Sequence, residues 1–97
     1  MIFTVVISEQ ADKDLRAIYE YIMTSLLSRE NADAQLSRLE EHIYNLDNMP
    51  KRFPKYKGEI RFMPVDNYLV FYMVDENLKT VSILRVMYGK RDIDSNL

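Results

Sequence analysis

The pattern of apolar positions divides the chain into a short strand, two helices and three further strands. Residues 2–7, IFTVVI, form a β-branched run of strand length. Apolar side chains then recur every three or four residues in two segments, which predicts two amphipathic helices. The stripes are Ala11, Leu15, Ile18, Tyr19, Ile22 and Leu26, then Ala32, Leu36, Leu39, Ile43 and Leu46. Ser8 and Ser28 precede them, and serine is a favoured N-cap residue.

The second half of the chain has the pattern of strands. Residues 47–59 contain two prolines and a glycine, which predicts a loop. Strands are predicted at 60–64, 68–74 and 79–88, separated by short turns. The order β-α-α-β-β-β predicts an α+β fold, in which a helical hairpin packs on one face of a small, mainly antiparallel four-stranded sheet. At 97 residues, the chain (1–97) is expected to form one domain.

Composition excludes several kinds of chemistry. The chain has no cysteine and one histidine, His42, so we expect no disulfide, no thiolate nucleophile, no metal site and no cofactor. The apolar run at the start is too short for a signal peptide and lacks a basic region before it. No stretch approaches the ~20 apolar residues that span a bilayer. We therefore expect a cytoplasmic protein without a membrane partner.

Charge is distributed unevenly along the chain. Residues 1–50 carry nine acids and four bases, whereas residues 51–97 carry six acids and nine bases. A basic patch in the second half suits a polyanion or an acidic protein partner. The net charge of −2 falls short of the strongly basic character expected of a dedicated nucleic-acid binder.

Residues 85–93, RVMYGKRDI, concentrate cations at the end of the last predicted strand. Strand alternation places Arg85 on one face with the apolar residues Val81, Ile83 and Met87. A buried guanidinium without a partner is costly, so Arg85 needs a carboxylate, carbonyl oxygens or a solvent-filled concavity. Two interpretations stay open: an ion pair with an acid such as Asp92 or Asp66, or contact with a ligand.

The residues after Arg85 extend this cluster. Gly89 permits a positive φ that ends the strand, and Lys90 and Arg91 follow it. Arg61, on an earlier strand, could add a cation to the same sheet face. Arginine suits a metal-independent ribonuclease, which must neutralise the charge of a phosphorane. The proton-transfer groups are less evident, because a tyrosine such as Tyr88 would need strong local cations to act as a base.

Three blocks of the chain resemble the RelE/ParE superfamily of bacterial toxins. They are residues 11–22, residues 30–50 and residues 60–93, and the specific part is YLVFY followed by ILRV.YGKRD. The resemblance covers nearly the whole chain, and the family has the same element order. It implies the toxin of a type II toxin–antitoxin module, as in plasmid stabilisation, which a cognate antitoxin neutralises.

The resemblance also separates two kinds of target. RelE-like members cut mRNA in the ribosomal A site, whereas ParE-like members poison DNA gyrase. RelE-like members carry an arginine after the tyrosine that opens the YLVFY strand, where Tyr68 is followed here by Leu69. They also carry lysines on the preceding strand, where this chain has Ile60, Phe62 and Met63. The resemblance therefore favours a ParE-like inhibitor of gyrase.

Three hypotheses follow. A gyrase inhibitor would contact its target through Arg85, Tyr88, Lys90 and Arg91. A ribosome-dependent mRNA interferase would use Arg61, Arg85, Tyr88, Lys90 and Arg91 for catalysis. A chain that has lost toxicity would remain an antitoxin-binding module. In each case the resemblance implies that the antitoxin lies across the helical hairpin, with Tyr19, Ile22 and Met23 as candidate contacts, and the free toxin can self-associate through the same surface.

Overall fold

The computed structural model describes residues 2–89. The helices are α1 (Glu9–Ser25) and α2 (Arg29–Tyr44). The strands are β1 (Thr4–Ile7), β2 (Lys55–Lys57), β3 (Ile60–Val65), β4 (Tyr68–Asp75) and β5 (Thr80–Tyr88). Two single-turn 3₁₀ helices, Asn45–Asp47 and Pro50–Arg52, lie between α2 and β2. Lys90, Arg91 and Asp92, on which several predictions depend, lie outside the described residues.

Both helices begin where the sequence indicates. The Ser8 hydroxyl accepts a hydrogen bond from the backbone N–H of Ala11 at 3.1 Å, and the Ser28 hydroxyl accepts one from Asn31 at 3.2 Å. Each serine thus satisfies one of the backbone donors left unpaired in a first helical turn. Leu27, in the short connection between the helices, has a φ of 51°. The connection therefore reverses the chain within three residues.

The strands form a mixed sheet in the order β1-β5-β4-β3-β2. β1 pairs with β5 in parallel at one edge, and the other neighbours are antiparallel. The predicted α+β fold with a helical hairpin on the sheet is confirmed, but the sheet between residues 2 and 89 has five strands rather than four. The additional strand, β2, lies in the predicted loop. It forms because Lys55 and Lys57 pair with β3 while Tyr56 packs edge-on against Phe62 and Phe71.

The core lies between the helices and one face of the sheet. Side chains from α1, α2 and all the longer strands meet there, among them Leu15, Leu39, Ile43, Met63, Val70, Tyr72, Val81 and Ile83. No charged or polar residue is buried within the described part of the chain. Burial of apolar surface is therefore the main force that holds the hairpin on the sheet.

A β-bulge changes which side chains of β5 face the helices. The pairs on either side of it are Tyr72–Ile83 and Phe71–Arg85. Leu84 is thus an additional residue on β5, which reverses the alternation of the strand. Ile83 before the bulge and Val86 after it both belong to the core under the helices. The simple alternation that grouped Arg85 and Met87 with Ile83 is therefore wrong beyond residue 84.

Tyr72 and Arg61 hold the segment between α2 and β2 in place. The buried Tyr72 hydroxyl donates to the Pro50 carbonyl at 2.6 Å. The Arg61 guanidinium donates to the carbonyls of Lys51 and Phe53 at 3.2 and 2.7 Å. These bonds satisfy carbonyl groups that no strand reaches, and they fix an otherwise irregular segment.

Replacing Tyr72 with phenylalanine tests this attachment. We expect the Tyr72→Phe variant to lose about 1–2 kcal/mol of unfolding free energy, because the Pro50 carbonyl loses its partner. Burial raises the pKa of Tyr72 above its usual value, so the folded state favours the neutral phenol. That contribution is complete below about pH 10 and is lost as the pH rises through the folded pKa. In urea titrations, the difference between wild type and variant should stay constant below about pH 10 and shrink as the pH rises above it; a difference that stays constant above about pH 10 would contradict this.

Candidate functional site

The end of β5 brings two tyrosines together beside a tight backbone contact. Tyr68 and Tyr88 are paired across β4 and β5, with ring centroids 5.9 Å apart at 74°. The Gly89 N–H donates to the Asn67 carbonyl at 2.8 Å. A Cβ on Gly89 would lie 3.3 Å from that carbonyl oxygen. The expected positive φ at Gly89 is absent, and close approach to the β3–β4 turn is what favours glycine there.

Arg85 forms an ion pair with Asp14 of α1. Its Nε and Nη2 atoms lie 2.8 and 3.2 Å from the two carboxylate oxygens of Asp14. The Asp14 hydrogen bonds raise the pKa of Arg85 above its usual value. Of the two interpretations, an ion pair is present, but its acid is Asp14; Asp66 pairs with Arg38 instead, and Asp92 lies outside the described residues.

The same carboxylate completes the edge of β5. β1 covers β5 only as far as Ile83, and beyond that point α1 supplies the partners. Ser8 donates its hydroxyl hydrogen to the Leu84 carbonyl at 3.2 Å, and Asp14 accepts from the Val86 N–H at 2.9 Å. Two side chains of α1 thus replace a strand along the bulged part of β5. This attachment fixes the last residues of β5, including Tyr88, relative to α1.

A groove of about 910 Å³ lies between the helical hairpin and this end of the sheet. Its walls are mainly apolar on α1 and polar on α2. Its lining includes Ala17, Ile18, Tyr21, Ile22 and Leu26 from α1, Ala34, Gln35 and Arg38 from α2, and Tyr68, Val86 and Tyr88 from the sheet. Tyr21 and Leu26 are 57% and 58% exposed, which makes them the accessible apolar part of the wall.

The α2 wall carries one fixed charge pair. Arg38 Nε and Gln35 Nε2 both donate to Asp66 Oδ2, at 2.8 and 2.9 Å. The two hydrogen bonds, that of Arg38 first, lower the pKa of Asp66. This pair attaches the β3–β4 turn to α2, and it gives the groove a polar rim opposite its apolar wall.

The candidate antitoxin contacts do not share one surface. Ile22 lines the groove. Tyr19 lines a smaller cleft on another side of α1, where its hydroxyl donates to Asp33 at 2.7 Å. Met23 is half-buried and lines neither cavity. The exposed groove residue that the sequence reasoning missed is Tyr21, although its i, i+4 spacing from Ala17 was a signal for it.

Arg61 lies far from the tyrosine end. It pairs with Tyr72 on β4, whereas Tyr88 pairs with Tyr68. Those β4 residues are four positions apart, which corresponds to about 13 Å along the strand. Arg61, Arg85 and Tyr88 therefore do not converge on one point, and Lys90 and Arg91 lie outside the described residues.

Neither metal ligation nor membrane insertion is indicated for the described region. Within residues 2–89, no three histidine or acidic side chains are arranged to hold a metal ion. No helix there is long and apolar enough to cross a membrane.

Comparison with solved structures identifies toxins of the same fold. The chromosomal ParDE system of P. aeruginosa matches with a TM-score of 0.78 at 18% identity, covering 92% of this chain and 98% of the other. The RelBE2 toxin–antitoxin complex of Mycobacterium tuberculosis matches at 0.68 and 20%, covering 91% and 99%. A mutant of the E. coli toxin RelE in the free state matches at 0.71 and 15%, covering 99% and 93%. No curated protein sequence matches.

Comparison with family models gives the assignment. The model described as "ParE toxin of type II toxin-antitoxin system, parDE" matches residues 5–93. The match includes both helices, all five described strands apart from the first residue of β1, and the whole RVMYGKRDI segment. The expected resemblance is thereby confirmed: the chain belongs to the ParE toxin family of type II toxin–antitoxin systems.

Proposed function

We propose that this toxin acts by inhibiting DNA gyrase and that a cognate antitoxin neutralises it by binding the groove. The observation that carries the gyrase proposal is the separation of the candidate nuclease residues. Arg61 and Tyr88 are on strands separated by β4 and lie about 13 Å apart along the strand direction, and Arg85 is paired with Asp14. The ParE family match supports the same target class.

Ribonuclease chemistry needs a different arrangement. Cleavage through the 2′-hydroxyl requires a base, a proton donor and cations within hydrogen-bonding distance of one phosphorane. The Arg61 guanidinium instead binds two backbone carbonyls, and the Arg85 guanidinium binds a carboxylate. Neither arrangement presents an uncompensated cation beside Tyr88. The geometry thus favours inhibition by binding over RNA cleavage.

Target contact is proposed for the end of β5. Tyr88 is 38% exposed and stands at the groove, where a partner can reach its ring and hydroxyl. Arg85, Lys90 and Arg91 complete the proposed contact set. Gyrase and ribosomes are both cytoplasmic, so this activity belongs in the cytoplasm.

Antitoxin binding is proposed for the groove because its chemistry suits an amphipathic segment. Tyr21 of α1 and Leu26 just after it are more than half exposed and can contact apolar side chains, and the Arg38–Asp66 rim offers hydrogen bonds to polar ones. A helix or strand laid across the hairpin would bury this surface. Self-association of free toxin through the same groove would compete with the antitoxin.

The target is tested by two assays on the same purified toxin. We expect micromolar toxin to inhibit supercoiling by purified gyrase and to leave mRNA on translating ribosomes intact in toeprinting. The antitoxin should restore supercoiling. Ribosome-dependent cleavage in the A site, lost in an Arg91→Ala variant, together with normal supercoiling, would reject the gyrase proposal in favour of mRNA interference. A toxin with neither effect would identify an antitoxin-binding module.

A further inference from the structure

Three segments meet at the end of the sheet opposite the groove, a surface that we call the loop end. They are residues 2–3, residues 47–53 and residues 76–79. The Phe3 N–H donates to the Asp47 carbonyl and the Thr4 N–H to the Lys79 carbonyl, both at 2.8 Å. An isolated bridge joins Ile2 to Asn48, and Lys51 forms an ion pair with Glu76 at 2.8 Å.

Each segment of the loop end exposes one large apolar side chain. Ile2, Met49 and Leu78 are 76%, 69% and 72% exposed. Met49 has a φ of 50°, in the left-handed region that asparagine and glycine occupy more readily. Single exposed apolar residues are ordinary, but three on adjoining segments with polar neighbours are typical of a protein-binding surface.

The three segments carry three cations, Lys51, Arg52 and Lys79, and two acids, Asp47 and Glu76, so the loop end has a small positive excess. Lys51 is paired with Glu76, and Lys79 Nζ lies 5.3 Å from the ring centroid of Phe3. The Arg52 guanidinium donates to the carbonyls of Asn48, Met49 and Asn45. Because carbonyls are neutral partners, the charge of Arg52 is not cancelled by them. An acidic partner surface would therefore be complementary to the loop end.

The loop end is also held rigid. Arg52 and Arg61 fix the carbonyls of residues 45–53 from two sides, and Tyr72 fixes Pro50. A surface that is already ordered loses little conformational entropy when a partner binds. Nucleic-acid phosphates would use the cations but not the apolar centre, so the combination favours a protein.

From these observations we propose that the loop end is a second target-docking surface, whose partner is a protein surface with an apolar centre and acidic rim on the inhibited enzyme. The inference rests on the proposed function and deepens it. The groove lies at the other end of the sheet, so an antitoxin in the groove leaves the loop end uncovered. Toxicity and antitoxin binding are therefore separable by mutation.

The test uses Met49→Asn combined with Leu78→Ser, which removes two exposed apolar side chains. Asparagine tolerates the left-handed backbone at position 49, and neither side chain is part of the core, so the fold should be retained. The matched control is Leu27→Asn, at a residue that is 85% exposed, with a φ of 51°, in the α1–α2 connection. We measure growth arrest on induction, the toxin concentration for half-inhibition of gyrase, and antitoxin affinity by calorimetry.

We expect the double variant to need at least tenfold more toxin for half-inhibition, to relieve growth arrest and to keep antitoxin affinity within twofold. The control should match wild type in all three. Unchanged potency, or an equal loss in the control, would overturn the inference. The inference would also be overturned if the double variant lost binding to duplex DNA but still bound gyrase as wild type does. If wild-type toxin arrests growth without inhibiting gyrase, only the gyrase proposal is rejected. The proposal that the loop end binds the target would then still hold if the double variant relieves growth arrest.

Discussion

Ala17→Trp is expected to weaken antitoxin binding at least a hundredfold and to abolish neutralisation in cells, while toxicity persists. Ala17 is exposed on α1 and lines the groove, so an indole at this position would fill the space that the antitoxin needs. The mutation removes no buried contact, and the fold should be retained. Tryptophan would occupy the wall beside Tyr21 and Leu26. Calorimetry with purified antitoxin measures the affinity, and co-expression measures neutralisation.

The matched control is Ser37→Trp, an exposed position on α2 that lines neither cavity. It introduces the same ring on the hairpin and should leave affinity within twofold of wild type. Equal weakening by both variants would indicate a general effect on the helices. Unchanged affinity in Ala17→Trp would place the antitoxin elsewhere.

Asp14→Ala is expected to have the largest effect on stability, a loss of about 2–3 kcal/mol of unfolding free energy. The Asp14 and Arg85 side chains are only 11% and 22% exposed, so removing the carboxylate leaves a largely buried cation without that partner. It also leaves the Val86 N–H on the β5 edge without its acceptor. The loss corresponds to a fall of about 10–20 °C in melting temperature for a domain of this size. Thermal and urea unfolding measure it.

Asp12→Asn provides the comparison, because Asp12 forms a surface ion pair with Arg16 on the same helix. That pair is largely exposed, so its removal should cost about 0–1 kcal/mol. The loss of unfolding free energy in Asp14→Asn should lie between those of Asp14→Ala and Asp12→Asn, because the new amide oxygen can still accept a hydrogen bond from the Val86 N–H. Equal stability of Asp14→Ala and Asp12→Asn would show that the carboxylate is not the attachment between α1 and β5.

Local signals in the sequence were sufficient to predict the two helices and the fold class. Ser8 and Ser28 mark the helix starts through a chemical preference that acts within three residues, and the apolar stripes identify the face that packs on the sheet. β2 was missed because its three residues carry two lysines. Its order comes from pairing with β3 and from the ring of Tyr56, which are contacts made only in the folded chain.

The candidate site was less predictable, because it depends on an irregularity. Alternation placed Arg85 with Ile83, but Leu84 is an additional residue in the bulge, and this places Val86 and Tyr88 on the side of the helices and the groove. The partner of Arg85 is 71 residues away on α1, and no local spacing indicates it. Asp14 looked like one more acid on a polar helix face. Bulge position and long-range ion pairs are properties of tertiary packing, which a single sequence does not display.

The structure separates the surface of this toxin into two ends with different chemistry. The Tyr88 end has a groove with an apolar helical wall, whereas the loop end has exposed apolar side chains beside charged residues with a small positive excess. We assign antitoxin binding to the groove, and target contact to Tyr88 and the loop end. The sheet between them is fixed at one end by Asp14 and at the other by Tyr72 and Arg61. This rigidity is what makes mutations at the two ends separable.

Inhibition of DNA gyrase, as proposed for this toxin, is measured by the conversion of relaxed plasmid to supercoiled plasmid by purified gyrase. We predict that micromolar toxin blocks supercoiling, that broken DNA accumulates when the reaction is stopped with detergent, and that equimolar antitoxin reverses both effects. Full supercoiling activity at micromolar concentrations of folded toxin, under conditions in which the same preparation arrests growth or cuts mRNA, would contradict it.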